Sequence, residues 1–382
     1  MRKFLLSFVL VFVLFGASYA DIVYTTSTGT LGLIEVTSAS SADLKGTYTK
    51  SLSNALVSAY SDYDGNRRVI LVDKTNDLTT SGDSFSRFSP NDLSKALDEE
   101  TKYFEGVYGT EIIRNSRNGK SLFLSSSSDI YEFDTDTFAM KNSFDCTPKS
   151  DDVASKIKDI AVLENRIFIL AETQNSGDVV MRFDGQLKRN VGAFYQWAVV
   201  SSDATKIAEL DNSRVAVARK NDVALLENKK ITSLVSSDNP VKDLCRDSGS
   251  GFFYATQTTD SSGNYVNTIS HYTQSSINNF ANAVLNSTSS TLQLIRDDTY
   301  NVLGVISGTG INLYNMSDGT LINTFTSSEL GGNPVNMAIT NSRINTSNKK
   351  NNSGCEVSGL GMILLLMCVC ARAQGTFFAL MG

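Results

Sequence analysis

Histidine is almost missing from this 382-residue chain: His271 is the only one. One imidazole leaves no histidine-rich zinc site and no pair of histidines for acid–base work. A Ser–His–Asp triad would have to use His271, which lies in an alternating run (Ile269 to Tyr272) far from any nucleophile-elbow pattern; a strand or rim histidine is the expectation. There are 4 prolines and 1 tryptophan, Trp197, which with Tyr195 either lines a groove or packs in the core, the usual place for a lone indole in a β protein. Of 5 cysteines only Cys146 and Cys245 lie in the body of the chain, so there is no disulfide framework, and nothing in their spacing requires them to pair. No glycine-rich phosphate loop precedes a helix, and no cofactor is implied. No lysine or arginine cluster stands out, and the net charge is −6 with a pI near 5.0. That balance argues against nucleic acid or an anionic membrane surface as partner.

What the chain does have is turn chemistry between short apolar runs. It is 41% hydrophobic and 19% charged, enough for a substantial core in one or two domains. Thr299 to Ser327 shows the unit most clearly. Three β-rich runs (Asn301–Ile306, Ile311–Tyr314, Leu321–Phe325) are joined by Ser-Gly-Thr-Gly and Ser-Asp-Gly turns, the local signature of a β-meander. Coarser versions recur along most of the chain. The second strands of the units are expected to begin near residues 69, 122, 167, 215, 252 and 302, at intervals of 53, 45, 48, 37 and 50. Such intervals fit a four-stranded propeller blade of ~40–50 residues.

Over about residues 21–340 this pattern resembles the broad β-propeller superfamily, without the Trp-Asp and Gly-His signatures or the double glycines of its best-known repeat classes. The resemblance implies an all-β ring of blades of about four strands. The lone run Val335–Thr340 would supply the first strand of a blade completed by Ile22–Thr25 and Leu31–Val36, so that both chain ends close the ring. Counting that shared blade gives seven. Six or eight stay open because residues 37–61 are ambiguous, and a pair of β-sandwiches is the rival fold.

One stretch differs in kind. Ser89 can cap, Pro90 suits a first helical position, and Leu93, Ala96, Leu97 and Phe104 share one helical face, so a helix is expected over 89–104, packed on the body. Asp62, Asp64 and Asn66 match the opening of an oxygen-ligand calcium loop, but Arg67 stands where glycine is needed and Asp73 replaces the closing glutamate. Turn formation explains the same three residues without a metal.

The two ends carry address information. Arg2 and Lys3, an apolar run from Phe4 to Phe15, and Ala-Ser-Tyr-Ala before Asp21 read as a signal peptide over residues 1–20, cleaved between Ala20 and Asp21. The propeller would fill 21–344, followed by a polar linker over 345–353. Residues 354–382 begin with Gly354-Cys355 and continue through an apolar run from Leu360 to Ala371. This segment resembles the cysteine-bearing C-terminal sorting signals of bacterial envelope proteins, most closely the Synerg-CTERM type. The resemblance implies proteolysis near Gly354-Cys355 and surface attachment through Cys355, with the export and sorting machinery as partners. Arg372 stands alone where such signals carry several arginines, and an apolar tail follows it. A simple membrane anchor is the alternative.

For function, the expectation is an exported propeller at the cell envelope that binds or scaffolds a protein or glycan through its loops. Asp159, Asp243, Asp297, Arg246 and Arg296 fall on the expected innermost strands, which gives a charged central channel as one reading. Convergence of Asp243, Arg246, Arg296 and Asp297 on one closed pocket would favour a lyase or hydrolase acting on extracellular polymer. A structural surface-layer or adhesin component is the third reading.

Overall fold

The computed structural model describes residues 20–340 apart from 50–54, 62–65, 75–78, 80, 99, 101, 117–118, 147–153, 163–165, 185–194, 202, 212, 248, 275, 281–284 and 288. These residues form seven antiparallel sheets arranged as the blades of a β-propeller. Blade I contains β1 (Ala20–Thr26), β2 (Thr30–Ser38) and β3 (Ser41–Thr49); its innermost strand comes from the far end of the chain. Blade II runs β4 (Leu56–Ser61), β5 (Arg67–Asp73), β6 (Gly82–Phe88) and β7 (Lys102–Glu105). Blade III is β8 (Ile112–Asn115), β9 (Ser121–Ser126), β10 (Asp129–Asp134) and β11 (Met140–Asp145). Blade IV is β12 (Ala154–Val162), β13 (Arg166–Thr173), β14 (Gly177–Asp184) and β15 (Tyr195–Ser201). Blade V is β16 (Lys206–Glu209), β17 (Arg214–Arg219), β18 (Asp222–Glu227) and β19 (Lys230–Ser236). Blade VI is β20 (Val241–Arg246), β21 (Phe252–Thr259), β22 (Tyr265–Thr273) and β23 (Ser276–Asn279), with β24 (Leu285–Ser287) pairing the other half of β22. Blade VII is β25 (Gln293–Asp297), β26 (Val302–Ile306), β27 (Gly310–Asn315) and β28 (Leu321–Thr326). A four-residue helix, α1 (Ser327–Leu330), leads to β29 (Pro334–Ile339), the innermost strand of blade I.

Burial explains the residue choice within each blade. A second strand has a strand on each side and a neighbouring blade against each face, so both faces must be apolar. Hence Val302–Ile306 is buried throughout, and the centre of RVAVAR likewise. Fourth strands form the outer rim and read polar, as in Ser276–Asn279, which is exposed at every position. Seven apolar clusters fill the seven seams between blades. Alternate residues of one strand serve the seams on either side: Val215 and Val217 face blade IV, whereas Ala216 and Ala218 face blade VI.

The ring closes as expected. β29 pairs antiparallel with β1, matching Ile22 to Ile339, Val23 to Ala338 and Tyr24 to Met337. Beyond the ladder, the Thr340 amide donates to the Asp21 carbonyl at 2.9 Å. Ile22, Tyr24, Ile34 and Met337 of blade I pack on Val302, Ile306, Ile311 and Leu313 of blade VII, completing the seventh seam.

The helix expected over 89–104 does not form. Ser89 and Asp92 make an isolated bridge, the Asp92 side chain accepts the Ser94 amide at 2.9 Å, and the Leu97 amide reaches back to the Arg87 carbonyl at 2.7 Å. Arg87 Nε donates to Asp98 at 2.8 Å, drawing the chain outward, and Lys102–Glu105 becomes the fourth strand of blade II. Phe104 is buried in the seam between blades II and III. Local caps, an ion pair and a strand vacancy outcompete the helical periodicity. Cys146 and Cys245 are free thiols on different blades, so they do not pair. The side chains of Tyr195 and Trp197 lie outside the described residues.

Candidate functional site: the central channel

Four antiparallel strands return the chain to its starting side, so every innermost strand runs in the same direction. Each of them is bonded along one edge only, and its other edge faces the centre. Amides on that free edge need acceptors. Among the described residues, four seams have as acceptor a side chain on the preceding innermost strand. Asp159 on β12 accepts the Ile207 amide of β16 at 3.1 Å. Asp243 on β20 accepts the Leu294 amide of β25 at 2.6 Å. Gln293 on β25 accepts the Met337 amide of β29 at 2.9 Å and donates to its carbonyl at 3.2 Å. Asn336 on β29 accepts the Val57 amide of β4 at 3.1 Å. Register shifts end at Asp159 and at Asp243. A bulge re-aims the side chain that follows it, here across the seam.

The charges are unevenly placed. Asp159 also meets the Arg114 guanidinium of β8 at 3.1 Å and the Lys206 ammonium of β16 at 3.9 Å. The Asp159 side chain is 4% exposed, whereas those of Arg114 and Lys206 are 38% and 32% exposed. Burial raises the pKa of Asp243, opposed by the charge of Lys206 and by the amides of Leu294 and Leu244. Burial likewise raises that of Asp178, opposed by Lys158 at 2.6 Å and the Ala204 amide. The innermost strands carry seven cations (Arg114, Lys156, Lys158, Lys206, Lys242, Arg246 and Arg296) against four acids (Asp159, Glu209, Asp243 and Asp297). The chain as a whole is −6.

The candidate channel residues take separate positions. Arg296 donates to the Arg246 carbonyl at 3.1 Å and to the Asp247 carbonyl, and meets Asp298 at 2.6 Å. Arg246 and Arg296 are thus neighbours through the backbone. Asp297 accepts the Thr299 and Tyr300 amides at 2.9 and 2.8 Å, holding its own turn. Asp243 lies in the seam to Leu294. Ala20 opens β1, and Asp21 takes Arg67 at 2.7 Å and the Thr340 hydroxyl at 3.3 Å. Burial raises the Asp21 pKa, against the charge of Arg67 and the Thr340 hydrogen bond. Asp62, Asp64, Gly354 and Cys355 lie outside the described residues, and Asn66 stands just before β5. His271 Nε2 meets Asp247 Oδ2 at 3.0 Å, with the ring stacked on Phe253 at 4.2 Å. Among the described residues no three His, Cys, Asp or Glu side chains form a metal-binding group, and no helix is long and apolar enough to cross a membrane.

Sequence reasoning missed Arg114, Lys206, Gln293 and Asn336, which gain meaning only once blades and bulges are placed. It also missed a legible repeat. Ser-Gly-Asp-x-x-x-Arg-Phe occurs at 81–88 and again at 176–183. Both copies form the third strand of a blade, and both aspartates hold the connection into the next one. Asp83 accepts the Gly109 and Thr110 amides at 3.0 and 2.6 Å, and Asp178 accepts the Ala204 amide at 2.6 Å.

No known protein family and no curated protein matches this chain. Solved structures do. A protein from Bacteroides uniformis provisionally named 6-phosphogluconolactonase is 11% identical with a TM-score of 0.59, over 85% of this chain and 100% of that one. A functionally unknown protein from Desulfotomaculum acetoxidans is 13% identical with a TM-score of 0.55, over 84% and 99%. Apo AztD from Citrobacter koseri is 10% identical with a TM-score of 0.51, over 84% and 98%. At such identities the likeness is one of fold.

Proposed function

We propose that this chain is an exported propeller that binds or scaffolds a protein or glycan partner at the cell envelope. The observation that carries this reading is the engagement of three of the four inner acids. Asp159 and Asp243 hold amides of the next blade, and Asp297 holds its own turn. Glycoside hydrolysis needs two carboxyl groups facing one substrate bond, and these three are directed elsewhere. The signal-like start and the Gly354-Cys355 segment supply the address.

The test has two arms. Immobilised chain incubated with native envelope extract should enrich one protein or glycan that competes with soluble chain. Release of reducing ends from envelope polysaccharide, abolished by Asp159→Asn or Asp243→Asn, would overturn the binding reading in favour of a polymer-cleaving enzyme. Mass spectrometry of the mature protein should find a start at Asp21 and an end near Gly354-Cys355. Recovery of a chain ending at Gly382 would overturn the sorting assignment.

A further inference from the structure

We infer that the channel wall between Arg114 and Lys206 is a binding site for a small oxyanion group, a carboxylate or phosphate carried by the ligand. The inference rests on the binding reading and gives it a place and a chemistry. Arg114 on blade III and Lys206 on blade V reach toward the same carboxylate, Asp159 on blade IV, from opposite sides. Two cations therefore flank one buried acid, and Asp159 already gives its second oxygen to the Ile207 amide. The Arg114 and Lys206 side chains are 38% and 32% exposed, and Arg114 also donates to the Ile113 carbonyl at 3.0 Å, so each cation is held in place and still partly open to solvent.

The surroundings do not cancel this excess. Lys158 meets Asp178 at 2.6 Å and Glu172 at 3.5 Å, and Lys156 stands 3.9 Å from Glu111, so these acids are directed to other cations. Asp243, the other acid within range of Lys206, is buried beneath the Leu294 amide, and burial favours its neutral form. Arg114 and Lys206 thus present guanidinium and ammonium donors beside a carboxylate whose two oxygens are already engaged. Forked and point-charge donors side by side match the planar or tetrahedral oxygens of a carboxylate or phosphate.

Calorimetric titration of the full chain at low ionic strength tests this with inorganic phosphate, malonate and uncharged galactose as probes. Saturable heat is expected with phosphate or malonate and none with galactose; the stronger of the two oxyanions identifies the group. Lys206→Gln leaves the Arg114–Asp159 pair intact, and with an unchanged melting curve it should weaken binding by about tenfold or more. Arg114→Gln should do the same, while Lys45→Gln on the outer rim should leave affinity unchanged. Absence of saturable heat with both oxyanions, or full affinity in Lys206→Gln, overturns the site. Capture of the same envelope partner by Lys206→Gln as by the parent would place the partner elsewhere, defeating this inference while leaving the binding reading intact.

Discussion

The Asp243 carboxylate accepts the Leu294 amide at 2.6 Å across the seam between blades VI and VII. A β-strand edge that would otherwise stand open to the channel is thereby satisfied by the blade before it. The same relation joins Asp159 to Ile207 and Asn336 to Val57.

This relation separates charge from hydrogen bonding in a mutational test. Burial places the Asp243 pKa above its unfolded value. Its stabilising contribution is therefore full below the unfolded pKa and lost as pH rises through the folded one. Asparagine keeps the acceptor without a charge to desolvate. Asp243→Asn should match the parent near pH 4 and exceed it by about 1 kcal/mol at pH 8, whereas Asp243→Ala orphans the amide and costs about 1–3 kcal/mol. Urea denaturation at the two pH values decides it; an Asp243→Asn less stable than the parent at pH 8 would refute the argument.

The His271–Asp247 pair gives the opposite sign. Burial opposes the Asp247 charge, but hydrogen bonds from His271 and from the Gly249 and Gly251 amides outweigh it and hold its pKa below the usual carboxylate value. The stability so gained is present above the unfolded pKa and lost as pH falls through the folded one. His271→Ala should cost about 1–2 kcal/mol at pH 7 and move the onset of acid unfolding to higher pH. An unchanged acid limb, followed by tyrosine fluorescence, would contradict this.

Gly82, the glycine of the first Ser-Gly-Asp repeat, has φ of +140°, and a Cβ there would run into the Phe104 carbonyl. Gly106 also has positive φ, at +77°, but open space around it. Gly82→Ala should therefore cost several kcal/mol and Gly106→Ala about 1. Comparable melting temperatures for the two variants would show that the contact is not rigid.

Ending the chain at Asn333 removes β29 and leaves β1 as an unpaired edge over an opened apolar seam. The melting temperature should fall by more than about 10 °C, with association through the exposed edge. A monomer melting near the parent temperature would mean that closure contributes little.

Much of the architecture was legible. Five of the six expected second strands begin within a residue of the observed ones, at 121, 166, 214, 252 and 302. These strands are the easiest to read because both faces are buried and their apolar runs are unbroken. The segment over 89–104 misled because leucine and alanine spacing carries no information about the vacancy beside β6 or the pull of Arg87 on Asp98. The channel was half legible. Asp159 and Asp243 could be placed on innermost strands, but the bulges that turn them toward Ile207 and Leu294 depend on the register between strands. Arg114 gave no signal because its partner lies 45 residues away on another blade.

The antiparallel joint between β1 and β29 also determines how the ring would yield to a mechanical load. Asp21 and Thr340 meet at the same end of that ladder. Tension applied between the two ends would open it as a zipper, one rung after another, instead of shearing all rungs together. Under such a load the strand that completes the ring would be the first to peel.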